Sequence, residues 1–203
     1  MHIREPAILC AVRAHGEHGA VVRMLTAGHG LVAAYVAGAR GRQLRPVLVP
    51  GNILAAEIHV RSDHQLPSAR VELEQSRGPW LGEPLANAAI GWSSALTAST
   101  LPEGHPYPAL HSALGALLDA ICHAPSARGW AGALVAYEAL LLRELGYSRA
   151  SAAPPPGEDW PLLLARLDRQ GIAISTHLLA DRQRDVMAAR AILMDRLRRI
   201  SGE

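Results

Sequence analysis

Lysine and phenylalanine are both absent from this chain of 203 residues, and cysteine occurs only twice. Without lysine there is no ammonium to reach the phosphates of a P-loop and no amine to form a Schiff base, so both chemistries are excluded. Cys10 and Cys122 lie far apart and have no CxxC companion. The chain opens on alternating charged and apolar residues, unlike the apolar core of a signal peptide, so two buried free thiols are expected rather than a disulfide. No apolar run approaches the length of a membrane helix, and a cytoplasmic protein is expected. Neither HExxH nor GxSxG occurs, and Cys122-His123 has no partner at ligand spacing. Of the ten histidines, His15 and His18 are three apart in a glycine turn with no further ligand nearby, so scattered surface histidines are expected. No catalytic residue, metal or cofactor is expected.

What is present suits a globular protein: 49% of residues are hydrophobic, over enough length for one large domain or two small ones. All 20 basic residues are arginine, which genome base composition explains more simply than selection for phosphate binding. The net charge of +2 is unevenly spread. Residues 1–77 hold nine arginines against six acids, residues 78–165 three against seven, and residues 166–203 eight against five. Two basic ends flank an acidic middle, which permits a polyanionic ligand without requiring one.

The first 77 residues read as strands. Alternation of Ile8, Cys10 and Val12 marks residues 6–14, closed by a turn of His15, Gly16, Glu17, His18 and Gly19. Residues 20–25, 31–36, 51–60 and 69–73 supply four more short runs between glycine- or proline-bearing links. Five such strands predict a small barrel. Its longest connection, residues 38–50, fits an OB-fold, although periodicity leaves an SH3-like barrel open.

Beyond Trp80 the period becomes helical. Helices are predicted over residues 84–98, 109–122 and 127–145, the last with Trp130, Leu134, Tyr137, Leu141 and Leu145 in one stripe and Gly146 placed to cap it. Glu103-Gly104-His105-Pro106 punctuates the first two. After a proline-rich link at residues 151–157, a short helix over 158–169 should stop near Gly171, and a last one should cover 185–200. In the last helix Val186, Ala189, Leu193, Leu197 and Ile200 form the apolar stripe, with Arg184, Arg196, Arg198 and Arg199 mainly opposite. The fold class is therefore α+β: a five-stranded OB-type barrel over 1–77 followed by an all-helical domain over 78–203.

The strongest functional pattern is the run from Val36 to Pro46. Arg40, Arg42 and Arg45 fall within six residues, Gly38 and Gly41 allow close backbone approach, and no acid occurs between Glu17 and Glu57. Guanidinium groups in that setting take phosphate oxygens in bidentate fashion, positioning a strand without reading its bases. Tyr35 is the only aromatic residue of the predicted strands, which favours backbone tracking over base stacking.

Three stretches in order resemble the RecO family: the barrel run YVAGARGRQLRPVLVPG, the helix YEALLLRELGY and the end AARAILMDRLRRI. The opening strands fit as well. The resemblance implies a recombinational-repair mediator that is not itself an enzyme. It would bind single- and double-stranded DNA and anneal complementary strands. It would act with RecR, help load RecA, and hold the acidic C-terminal tail of single-strand-binding protein. On this resemblance Arg40, Arg42 and Arg45 match the barrel's basic turn, with Arg13 and Arg23 as looser candidates for DNA. Tyr137, Leu141 and Leu145 match the signature helix, a candidate partner-binding element.

The chain departs from the family pattern in two places. Some members carry a four-cysteine zinc module after the Leu-Gly-Tyr signature; here residues 148–157 contain no cysteine, so zinc is not expected there. Relatives often have arginine where this chain has Ala136, so tail binding would fall to Arg128 or Arg143, or be weaker. The competing reading is a protein-interaction adaptor whose helical domain binds an acidic tail, with little DNA affinity. A small hydrolase is a third, disfavoured by the missing nucleophile motifs.

Overall fold

The computed structural model describes residues 2–60, 65–148, 153–155, 157–179 and 184–200. Its elements are β1 (His2–His15), β2 (Gly19–Thr26), β3 (Gly30–Val36), β4 (Ile53–His59) and β5 (Ser68–Gln75), then α1 (Pro84–Thr100), α2 (Pro108–His123), α3 (Ala131–Glu144), α4 (Trp160–His177) and α5 (Arg184–Arg199). Short 3-10 turns lie at Gly78–Gly82 and Ala127–Gly129. Cα proximity divides the chain into two compact units: residues 1–82 with 101–111, and residues 83–100 with 112–203.

The strands close into a barrel in the order β1-β2-β3-β5-β4. All pairs are antiparallel except β3 with β5, which meet in parallel at Tyr35 and Ser68. This order separates the OB-fold from the SH3-like alternative. β1 serves both neighbours: residues 2–8 pair with β4 and residues 7–15 with β2. The register slips between Leu9 and Ala11, and such a bulge bends one long strand around a barrel corner.

Alternate residues fill the interior: Ala7 and Leu9 from β1, Val22 and Met24 from β2, Ala34 and Val36 from β3, Leu54, Ala56 and Ile58 from β4, Ala69 and Val71 from β5. A narrow barrel needs small side chains beside large ones, and alanine supplies the small ones in a chain without phenylalanine.

The β3–β4 connection plugs one end of this barrel. Ala39 and Leu48 are buried with the core, and Leu44 and Val47 pack against it. Successive tight turns hold the plug: Gly41 N–H donates to Gly38 O, Arg45 N–H to Gly41 O and Leu48 N–H to Leu44 O, all within 2.9–3.0 Å. Gly38 begins them at φ +68, a backbone state that favours glycine. Asn52, fully buried, ties the plug down. Its side-chain amide donates to Val47 O at 2.9 Å, and its carbonyl oxygen accepts Arg77 N–H at 2.7 Å.

Residues 103–106, which read in sequence only as punctuation, come up beside the start of β3. Leu31 bridges Glu103, and Gly104 N–H donates to Leu31 O at 3.0 Å. Gly30, at φ +70, admits this close approach, since a Cβ there would sit 1.9 Å from His105 O.

In the helical unit, α4 runs to His177 and is not stopped by Gly171. The glycine is a packing requirement: a Cβ would lie 2.4 Å from Arg190 Nη1. The buried stripe of α5 is Arg190, Leu193, Met194 and Leu197; Val186, Ala189 and Ile200 are only half-buried. Gly146 does cap α3, at φ +86, with Tyr147 N–H donating to Leu142 O at 2.8 Å. Residues 151, 152 and 156 of the proline-rich link, and the side chain of Arg184, lie outside the described residues.

Candidate nucleic-acid interface

The plug is amphipathic without being a regular helix. As Ala39, Leu44, Val47 and Leu48 turn inward, Arg40, Arg42 and Arg45 are left exposed on its outer side. Arg40 is also placed by the β1–β2 turn: its backbone N–H donates to His18 O at 3.3 Å and its Nη1 to Glu17 O at 3.2 Å. That turn adds exposed His15 and His18 beside the arginines.

Arg13 is exposed near the end of β1. Arg23 is committed: its guanidinium donates to Glu103 Oε1 at 3.0 Å. Their strand positions share a face, because Arg13 pairs with Val21 and Arg23 with Ala11. Four of the five barrel arginines singled out in sequence are therefore well exposed. Arg77, which raised the basic count of the first 77 residues, is fully buried and holds structure.

A second polar cluster organises the β2–β3 turn. Glu5 accepts from Gly28 N–H at 3.1 Å and contacts His29 Nδ1 at 2.6 Å, while Thr26 Oγ1 accepts from His29 N–H at 3.1 Å. Burial opposes ionisation of Glu5, but the hydrogen bonds from His29, Gly28 and Thr26 together outweigh it and hold the carboxyl below its ordinary range. Nearby, burial lowers the His111 imidazole, with the charge of Glu5 pulling the other way. Burial raises the Cys10 thiol to about 12, against the Leu25 backbone and Arg23, and leaves it inert as a nucleophile. Neither Cys10 nor Cys122 is in a disulfide, and both are buried.

The signature helix behaves differently from the barrel arginines. Tyr137 and Leu141 are 1% and 0% exposed, so neither offers a partner any surface; Leu145 is half-buried. Tyr137 Oη is hydrogen-bonded to Thr97 Oγ1 in the interior. Arg143 is exposed and pairs with Glu144 at 3.4 Å. Arg128 lies 5.1 Å over the Trp160 ring. It lines a shallow groove of about 340 Å³ with Gly132, Ala136, Pro154 and Leu163. Arg128 and the alanine of the departed position thus share one groove, and Arg143 is not among its lining residues. In α5, Arg198 pairs with Asp168 and Arg199 with Asp195, each at 2.6 Å. Among the described residues no helix is long and apolar enough to cross a membrane.

A closed OB-type barrel with an arginine-bearing plug, followed by an all-helical unit, defines an α+β protein of the OB-fold class. Family models described as "Recombination protein O N terminal" and "Recombination protein O C terminal" match residues 1–77 and 81–149. The chain belongs to the RecO family. It is 38% identical over 148 residues to a protein of Phenylobacterium zucineum, a match covering 72% of this chain and 60% of the relative. With one of Rhodospirillum rubrum identity is 35% over 191 residues, covering 92% and 75%. With one of Cereibacter sphaeroides it is 31% over 241 residues, covering 98% and 99%. All three relatives carry the name DNA repair protein RecO. Against several of its relatives the match spans about three fifths of their length.

Proposed function

We propose that this chain is a DNA-binding mediator of recombinational repair that works without chemistry of its own. The exposed barrel arginines, Arg40, Arg42 and Arg45 of the plug together with Arg13 of β1, track the sugar-phosphate backbone of single- and double-stranded DNA. By neutralising phosphates it lowers the repulsion between complementary strands and promotes annealing. In the cytoplasm the protein acts with RecR to load recombinase onto strands coated by single-strand-binding protein. The observation that carries this reading is the division of the plug: four apolar residues hold it in the barrel while three arginines are left exposed. Sparse aromatics favour weak sequence preference.

The test is a titration of the full chain with single-stranded DNA at several salt concentrations. Each neutralised phosphate contributes about 0.7 to the slope of log affinity against log salt on single strands. Replacing Arg40, Arg42 and Arg45 together by alanine should flatten that slope by roughly two units. An unchanged slope removes the plug from the interface.

The groove beneath Arg128 favours a second role beside the first. A cation over an aromatic ring, in a groove whose one acidic lining residue, Glu158, is paired with Arg166, suits an acidic tail such as that of single-strand-binding protein. Arg128→Ala should weaken binding of a fluorescent tail peptide to the full chain and leave the DNA salt slope unchanged. Tight peptide binding with negligible DNA affinity of the wild type would make the protein an adaptor instead.

A further inference from the structure

Three side chains with metal-ligating atoms meet on the barrel surface where β1 begins and β4 ends. His2 stands directly opposite His59 in the antiparallel ladder. Glu57 lies two residues before His59, and alternation puts all three on one face of the sheet. The His2 and His59 rings stack with centroids 4.4 Å apart and planes 11° from parallel. His2 Nε2 is 3.1 Å from Glu57 Oε1, and the three ligand atoms all lie within 4.8 Å of one another. Two ligands spaced by two on one strand, with a third on its neighbour, converge without any loop having to fold around the ion.

We propose that His2, Glu57 and His59 form a binding site for a borderline divalent cation of the zinc, nickel or copper class. A tetrahedral ion with bonds of about 2.0–2.2 Å spaces its donors roughly 3.3–3.6 Å apart. The His2–Glu57 pair is already near that spacing, and the imidazoles need only small rotations to meet it. The sites of His2 and Glu57 are open to solvent, with side chains 49% and 30% exposed, which gives the ion a path in and leaves a fourth position for water.

The donor set selects the ion. Glu57 faces Arg4 on β1 and Arg70 on β5 in the ladder, and the cleft these three line also holds Glu5, Glu72 and Glu74, so local charge does not choose the ion. Magnesium and calcium are held by oxygen ligands, whereas two imidazole nitrogens among three donors suit zinc, nickel or copper. The histidines are 57 positions apart in the chain, so spacing in sequence cannot reveal the pair.

The experiment is a calorimetric zinc titration of the tag-free full chain, with cobalt absorption reporting coordination number. The wild type should bind one equivalent in an intense four- or five-coordinate cobalt spectrum. His2→Ala and His59→Ala should each weaken binding by more than about tenfold, the scale on which even outer-shell partners act. Their metal-free thermal midpoints should match the wild type, and His2→Ala at the strand's outer end guards against a folding defect at His59. Magnesium should not compete. No binding by the wild type, or equal binding by the His2→Ala/His59→Ala double variant, overturns the proposal. Neither outcome bears on DNA binding by the plug.

Discussion

The Arg190 guanidinium donates to the Glu138 carboxylate at 2.9 Å, with the two side chains 6% and 0% exposed. The pair is the polar centre of the helical unit. Trp92 Nε1–H donates to the other carboxylate oxygen at 2.7 Å, Arg190 Nη2 also donates to Leu167 O at 2.6 Å, and the guanidinium lies 5.4 Å over the Trp92 ring. Burial pushes the Glu138 carboxyl upward, with Arg190 and Trp92 pulling against it. Removing one partner strands a buried charge, which costs about 3–5 kcal/mol, whereas replacing both by apolar residues is often nearly neutral. Glu138→Leu and Arg190→Met should each lower the urea midpoint sharply. The double variant should recover much of the loss; additive losses would mean that the two do not act as a pair.

Gly171 answers to the same pair. Glycine within a helix is ordinarily about 0.8–1.0 kcal/mol worse than alanine, and Gly91 in α1 has nothing within 4 Å of a built Cβ. Gly91→Ala should therefore stabilise. Gly171→Ala should do the reverse, losing about 1–3 kcal/mol through overpacking. The guanidinium it would strike is held by Glu138 and Leu167 O and cannot swing aside. Opposite signs in parallel urea melts are the expected result; a gain at both positions would show that Arg190 yields freely.

These residues mark where the sequence was legible and where it was not. Alternation in the strands and the four-three-four-four spacing of Trp130 to Leu145 read directly, because both periods are local. The arginine turn was legible as a cationic loop. Its inward half, Ala39, Leu44, Val47 and Leu48, was not, since irregular turns impose no period. Gly171 read as a stop because a glycine's partner across the fold is invisible in one dimension. Arg190 read as one more basic residue near the C-terminus for the same reason. Tyr137 and Leu141 carry the family resemblance and are buried structural residues. His2 and His59 come together only through strand pairing.

Asn52 holds the proposed DNA-binding plug to the barrel. Asn52→Ala would leave Val47 O and Arg77 N–H without this partner, and a buried group so stranded costs about 1–3 kcal/mol. The variant should melt at lower denaturant and, while still folded, bind DNA more weakly although no arginine has changed. Asn52→Asp, which keeps an acceptor for Arg77 N–H but loses the donor to Val47 O, should also fall below the wild type. Undiminished DNA affinity in a folded Asn52→Ala protein would show that the plug does not need this tie.

Arg23 differs from the other barrel arginines in having Glu103 as its ion-pair partner at 3.0 Å. Phosphate must compete with that carboxylate. Glu103→Gln should raise affinity for single-stranded DNA at low salt by roughly two- to fivefold, matching a surface ion pair of up to about 1 kcal/mol. Arg23→Ala should weaken binding less than Arg42→Ala or Arg45→Ala. An unchanged affinity in Glu103→Gln would place Arg23 outside the DNA path.

Glu5 gives the barrel a defined response to acid. Its folded carboxyl titrates below its ordinary value because His29, Gly28 and Thr26 together outweigh its burial. The ionised group therefore contributes stability that is fully present above the unfolded value of about 4.3, and that is lost as pH falls through the lower, folded value. Glu5→Gln keeps an acceptor for Gly28 N–H but has no charge to lose. It should be less stable than the wild type at neutral pH, and the gap should close as pH falls below about 4. Thermal midpoints of both proteins across that range measure it. A gap that stays constant into acid would mean that the clasp on the β2–β3 turn depends on shape and not on the charge of Glu5.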